Sequence, residues 1–220
     1  DIQIFDDTFT FIPKRAEEIC KEIIERRLDI GWNCMTRVDK INPYLLRLMK
    51  RAGCYEIGFG IESGSERILK LINKGITKEQ IRQGIKWVKK EGIAVRGFFM
   101  IGFPTETREE IMQTIKFAKE LDVDVSQFMV VTPYPGTELW GIAKKYGSID
   151  EDWSNFTYYA PKKSPFSSEI LSGTEIAALY RKAYRSFYLR PSYILKQFFK
   201  IRTLNDVKRN LLAFRGVVGL

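Results

Sequence analysis

The sequence predicts an α/β fold: a partial (β/α) TIM-type barrel followed by a helical tail. Three observations predict it. Strand-like apolar runs and helix-like amphipathic runs alternate from residue 1 to about residue 147. The helical runs have the ~10–15-residue length of crossover helices, which implies parallel strands with right-handed connections. Several strand ends carry polar groups: Asp6/Asp7, Thr36/Arg37, Glu62/Ser63 and Thr132. Groups spread over many strand C-termini suit a barrel, whereas an open doubly wound sheet gathers them at one switch point.

The elements follow in order. "IQIFDD" (2–7) reads as a core strand ending in two acids, and Pro13 then opens a helix to about Leu28 through Ile19, Ile23 and Ile24. "IGWNCMTRVD" (30–39) alternates as a strand, and Asn42-Pro43 caps a helix carrying Leu45, Leu48, Met49 and Ala52. "CYEIGFGIE" (54–62) is the next strand, with Ser63-x-x-Glu66 as the capping box of a helix to about Asn73. Thr77-x-x-Gln80 caps another helix, "IAVRGFFMIG" (93–102) is a strand, and Thr107-x-x-Glu110 caps the helix through Leu121. "VSQFMVV" (125–131) and a helix to about Tyr146 complete the series. Residues 1–147 are thus assigned to the barrel, and 148–220 to an irregular segment and a basic helical extension. Residues 148–171 read as irregular; Ser172-x-x-Glu175 caps a helix to Leu189, Pro191 breaks it, and two short helices follow.

Composition narrows the chemistry. Of 220 residues, 45% are hydrophobic and 29% charged, a globular balance. No apolar run reaches the ~18 residues of a membrane span. The start "DIQIFDD" lacks Met and any export signal, so a fragment of a longer cytoplasmic protein is expected. The net charge of +9 lies wholly after residue 180, where ten Lys/Arg face the single acid Asp206. Histidine is absent, which removes Ser-His-Asp and Cys-His catalysis and His-ligated metals. Cys20, Cys34 and Cys54 lack the close spacing of a zinc site and read as reduced thiols. Chemistry must come from carboxylates, Lys, Tyr, Cys or a bound cofactor.

Two motifs stand out. Gly58, Gly60 and Gly64 form G-x-G-x-x-x-G, one residue too long for a dinucleotide fingerprint. Glu62 would sit where pyrophosphate belongs, and about twenty residues on stands Gly84 rather than an acid. An acid at the inner end of a buried strand is costly unless it binds something. In "GFFMIGFPTET" (97–107), Gly102 and Pro104 at a strand end allow backbone to approach a flat ligand; a generic βα loop fits equally.

Together "FDDTFT", "GIESGSERIL", "RGFFMIGFPTET" and "VVTPYPGTEL", in this order, resemble the radical S-adenosylmethionine (SAM) superfamily. The likeness is to the class with a cobalamin (B12)-binding domain ahead of the barrel. It spans residues 1–147, and "YRSFYLRPSYILKQFF" in the tail is similar to that class too. The resemblance implies that Glu62, on the fourth barrel strand, faces the ribose or methionine part of SAM, with Ser63 as its polar neighbour. It implies that Arg37 pairs with the SAM carboxylate, and that Ile101, Gly102 and Pro104 of "GFFMIGFP" pack on the adenine. Asp6 and Asp7 stand where relatives often carry Gly-Gly-Glu for the SAM amino group, without a literal match. The resemblance also implies that Tyr134, within Pro133–Gly136, lines the cavity after the sixth strand.

The family's C-x-x-x-C-x-x-C motif, which ligates a [4Fe–4S] cluster, and the first barrel strand are missing. The expectation is therefore the C-terminal part of a longer enzyme, inactive alone. The implied activity is reductive SAM cleavage to a 5′-deoxyadenosyl radical, for cobalamin-dependent methylation or a related reaction on a small or lipid-like substrate. Alternatives are a methylthiotransferase acting on tRNA or protein and a non-catalytic degenerate barrel. The basic, aromatic tail has three readings: packing on the missing N-terminal domain or closing the barrel mouth, an amphipathic segment on an anionic membrane surface, and, least favoured, nucleic-acid contact.

Overall fold

The computed structural model describes residues 1–157, 159 and 161–219. Five parallel strands pair in the order β1-β2-β3-β4-β5: Ile2–Ile4, Trp32–Thr36, Cys54–Glu62, Ala94–Ile101 and Val125–Val130. Spatial order follows chain order without reversal, which is the wall of a (β/α) barrel and not a doubly wound sheet. The helices between them are α1 (Pro13–Glu25), α2 (Pro43–Arg51), α3 (Glu66–Leu71), α4 (Lys78–Lys90) and α5 (Arg108–Leu121).

Caps set by local sequence form as expected. Leu45 N–H donates to Asn42 Oδ1 at 2.9 Å, and Thr77/Gln80 and Ser172/Glu175 close reciprocal capping boxes. Thr107 and Glu110 do the same, at 3.0 and 3.2 Å. One cap is corrected. The helix after β3 is capped by Ser65, whose Oγ accepts from Ile68 N–H at 3.3 Å. Ser63 Oγ instead accepts from Ser65 N–H at 3.1 Å, a local turn that spends its lone pair before the helix begins. Glu66 reaches forward rather than back, accepting from Lys78 N–H at 3.1 Å.

The first strand is also corrected. It is three residues long rather than six, and it is no core strand: Ile2 is 47% exposed and Phe5 81%. It stands at the edge of the sheet, paired only with β2, so neighbours cover it on one side.

The chain divides into two compact units, Asp1–Phe99 with Phe117–Gln127, and Met100–Lys116 with Phe128–Leu220. In the first, Trp32 is fully buried, donates its indole N–H to Ala52 O at 2.6 Å and meets Phe9 edge-on at 5.3 Å. Its strands alternate buried residues with half-exposed ones, so one sheet face packs under the helices and the other stays open. On the open face, Arg96 binds Glu56 with two hydrogen bonds, 2.9 and 3.3 Å.

The second unit contains α6 (Glu138–Tyr146), α7 (Gly173–Tyr188), α8 (Pro191–Lys200) and α9 (Leu204–Val218). The stretch expected to be irregular carries a small antiparallel hairpin, β6 (Gly147–Ile149) with β7 (Phe166–Ser168). Gly147 is required there, because a Cβ would lie 2.0 Å from Ser167 O. Among the described residues, no helix is long and apolar enough to cross a membrane.

Candidate functional site

In the first unit two glycines of β3, Gly58 and Gly60, leave room that neighbouring side chains fill. Gly58 lies between Met35 and Phe98, and a Cβ there would come within 2.9 Å of the Phe98 ring. Beyond Gly60 the β3–β4 register slips by one residue, and Glu62 adopts the left-handed conformation with φ 67°. A non-glycine residue held there by its surroundings stores roughly 1–3 kcal/mol of strain, typical of ligand sites. The bulge turns the Glu62 carboxylate back over Gly60, where Oε1 accepts from Lys74 Nζ at 2.8 Å. A Cβ on Gly60 would lie 2.5 Å from that oxygen and 2.9 Å from Nζ, so the missing side chain makes room for the pair.

Lys74 was not anticipated from the sequence. It stands in "NKG", between left-handed Asn73 (φ 51°) and Gly75 (φ 68°), a punctuation that fixes the loop. Its carbonyl accepts from Arg37 Nη2 at 3.0 Å, and Arg37 also grips Asp39 bidentately at 2.9 and 3.1 Å. Burial works to raise the Asp39 carboxyl, but the Arg37 guanidinium outweighs it and holds the acid below its ordinary range. Arg37 and Glu62 both meet Lys74, Arg37 at its backbone carbonyl and Glu62 at its ammonium. Two cations beside a carboxylate suit a zwitterionic amino-acid group: carboxylate for its ammonium, cations for its carboxylate.

Asp6 and Asp7 are placed differently from each other. Asp6 accepts from Thr8 N–H at 2.9 Å and from Arg15 Nη2 at 2.7 Å; the backbone bond first, then Arg15, lowers its pKa. It is committed to its own loop. Asp7 is exposed beside it, at a shallow concavity shared with Phe11, Ile12 and Arg15. Ser63 is fully buried.

In the second unit, the "GFPTET" loop is built around its own acid. Glu106 is fully buried, and its Oε2 accepts from Gly102 N–H at 2.7 Å and Phe103 N–H at 3.1 Å. Gly102 (φ 87°) and Thr105 (φ 67°) are both left-handed, and a Cβ on Gly102 would meet Ile176 at 2.9 Å. Ile101 is fully buried and Pro104 is buried. Tyr134 is exposed, its ring tilted at 6.1 Å from Phe156.

The chain's thiols do not fit an iron–sulfur cluster. Cys20, Cys34 and Cys54 are all buried, and Cys54 Sγ donates to Glu56 O at 3.6 Å. Burial pushes the Cys20 thiol up to about 12, and neighbouring Cys34 together with burial raises Cys54, so thiolate ligands are disfavoured at both. No group of three or more His, Cys, Asp or Glu able to hold a metal occurs among the described residues. Ellman's reagent at pH 8 is expected to label none of the three thiols in the native chain and all three after denaturation.

A family model described as the Radical SAM superfamily matches residues 2–118. The chain is 46% identical over 203 residues to an uncharacterized methyltransferase of Pyrococcus horikoshii, covering 91% of this chain and 43% of the relative. It is 30% identical over 197 residues to the cytidylyl-2-hydroxyethylphosphonate methyltransferase of Streptomyces wedmorensis, covering 86% and 37%. The chain therefore spans less than half the length of these relatives. Among solved structures it resembles the radical S-adenosylmethionine methyltransferase TsrM from Kitasatospora setae, solved with cobalamin and a [4Fe–4S] cluster bound. The TM-score is 0.60 at 18% identity, over 83% of this chain and 37% of that one, a likeness of fold.

Proposed function

The chain belongs to the radical SAM superfamily, and from that premise we propose that it supplies part of the SAM site of a methyltransferase. The single observation that carries this reading is the Glu62–Lys74 pair: half-buried, strained at a strand end, and given space by Gly60. Bound SAM and a [4Fe–4S] cluster supply one-electron cleavage of a sulfonium C–S bond, with cobalamin as methyl carrier. The cluster and cobalamin are assigned to parts of the enzyme outside this chain, since its own thiols do not fit the cluster.

The chain's residues bind and orient. Glu62 holds the ammonium of the SAM methionine group, and Arg37 with Lys74 faces its carboxylate. Asp7 offers a second acceptor, while Asp6 shapes the loop that presents it. Ser63 acts from beneath, through the turn that sets Glu62. Gly102 and Pro104 give the adenine a backbone surface, backed by Ile101. Tyr134 is assigned to the substrate side, and the substrate to small or lipid-like molecules. The methyltransferase names of two relatives matched over more than four-fifths of this chain support methyl transfer.

The test is anaerobic reconstitution of the intact enzyme with iron, sulfide and cobalamin, then addition of dithionite as electron donor and of SAM carrying a deuterated methyl group. Expected are 5′-deoxyadenosine and a deuterated methyl product. A reconstituted enzyme that leaves SAM uncleaved overturns the reading.

A further inference from the structure

The C-terminal helices are amphipathic the wrong way round for packing. A surface helix ordinarily turns its apolar stripe inward. On α8, at 100° per residue, Ile194, Leu195, Phe198 and Phe199 share one face, and they are 48–67% exposed. The half-buried side holds Tyr193, Lys196 and Gln197. On α9, Leu204, Leu211, Phe214 and Val218 share a face, with Leu212 at its margin, and these residues are 48–81% exposed. The half-buried side there is Asp206, Asn210 and Val217. Two successive helices thus turn their polar sides to the protein and their apolar sides to solvent.

Charge selects what covers them. Ten Lys/Arg and one acid lie beyond residue 180, while residues 1–180 are neutral. The one acid is withdrawn: Asp206 caps α9, accepting from Arg202 and Thr203 N–H at 3.0 and 2.9 Å, and pairs with Arg209 at 2.7 Å. Lys208 and Arg215 lie on the same side of α9 as its leucines, and Lys200 and Arg202 mark the turn between the helices. A second copy would bring two strongly cationic faces together. Nucleic acid would leave the phenylalanines and leucines in water. An anionic bilayer satisfies both features, taking apolar side chains to the acyl boundary and cations at the headgroups.

We propose that α8 and α9 form a peripheral membrane anchor for anionic lipid, independent of the chemistry at the strand ends. The test is co-sedimentation of the 220-residue chain, and of the intact enzyme, with phosphatidylcholine vesicles with and without phosphatidylglycerol. Expected is binding only to the mixed vesicles, weakened at high salt. F198S/F199S should weaken it about a hundredfold, from the apolar burial of two phenylalanines. K200Q/K208Q should weaken it about thirtyfold. All four positions are exposed, and unchanged circular dichroism checks that the fold survives. Equal binding to neutral vesicles overturns the proposal. So does self-association through this face without vesicle binding, or binding by the chain that disappears in the intact enzyme.

Discussion

Replacing Glu62 with glycine is expected to lower SAM cleavage by the intact enzyme at least about a hundredfold without destabilising the fold. The two halves of that result have separate origins. Removing a charged partner of a substrate group costs roughly 2–5 kcal/mol of binding, and about 2.7 kcal/mol is a hundredfold in rate. The backbone responds the other way, because glycine adopts φ 67° without the strain that glutamate carries. Relief of that strain offsets the lost Lys74 ion pair and the extra chain entropy of glycine. Glu62→Gln keeps the strain and loses the charge. It should be as inactive as the glycine variant yet about 1 kcal/mol less stable, a melting difference of roughly 2–4 °C. Gly60→Ala reaches the same site from the other side. Its Cβ would touch only the flexible ends of Glu62 and Lys74, so it should move the pair and cut activity at little cost in stability. Undiminished SAM cleavage in both Glu62 variants would reduce that pair to a structural ion pair.

How far this site was legible depends on the sequence distance of each contact. Arg37 and Glu62 could be found because a polar group at a strand end is a local signal, and so could the reciprocal caps at Thr77, Thr107 and Ser172. Lys74 could not, because its partner lies twelve residues back across a helix and a bulge. The glycines of "GFGIE" suggested a phosphate loop by composition; their function is the volume they leave, which depends on side chains of neighbouring elements. The S-x-x-E spacing points to Ser63 although Ser65 is the cap, because both offer a hydroxyl near the helix start and only the backbone turn decides between them. The β6–β7 hairpin escaped notice because each strand has three residues and the pairing joins segments about twenty apart. The inverted polarity of α8 and α9 is legible as amphipathicity, but which face looks outward is a tertiary fact.

Glu106→Ala is expected to be the costliest of the changes at the strand ends, and for a reason unlike Glu62. Its carboxylate is the acceptor for two buried backbone N–H groups, at Gly102 and Phe103, and alanine provides none. An unsatisfied buried donor costs about 1–3 kcal/mol, so the pair accounts for about 2–6 kcal/mol. In a chain of this size that is a fall in melting temperature of roughly 4–24 °C. The loss should reach SAM binding as well, because the same two bonds hold Gly102 and Thr105 in left-handed conformations that an untethered loop would abandon. Glu106→Gln retains a carbonyl acceptor and should recover part of the stability and part of the activity together. That joint recovery separates Glu106, which acts through the backbone it positions, from Glu62, whose glutamine variant should fold and yet stay inactive. A Glu106→Ala enzyme with an unchanged melting temperature would mean the loop is held by its own conformation and not by this carboxylate.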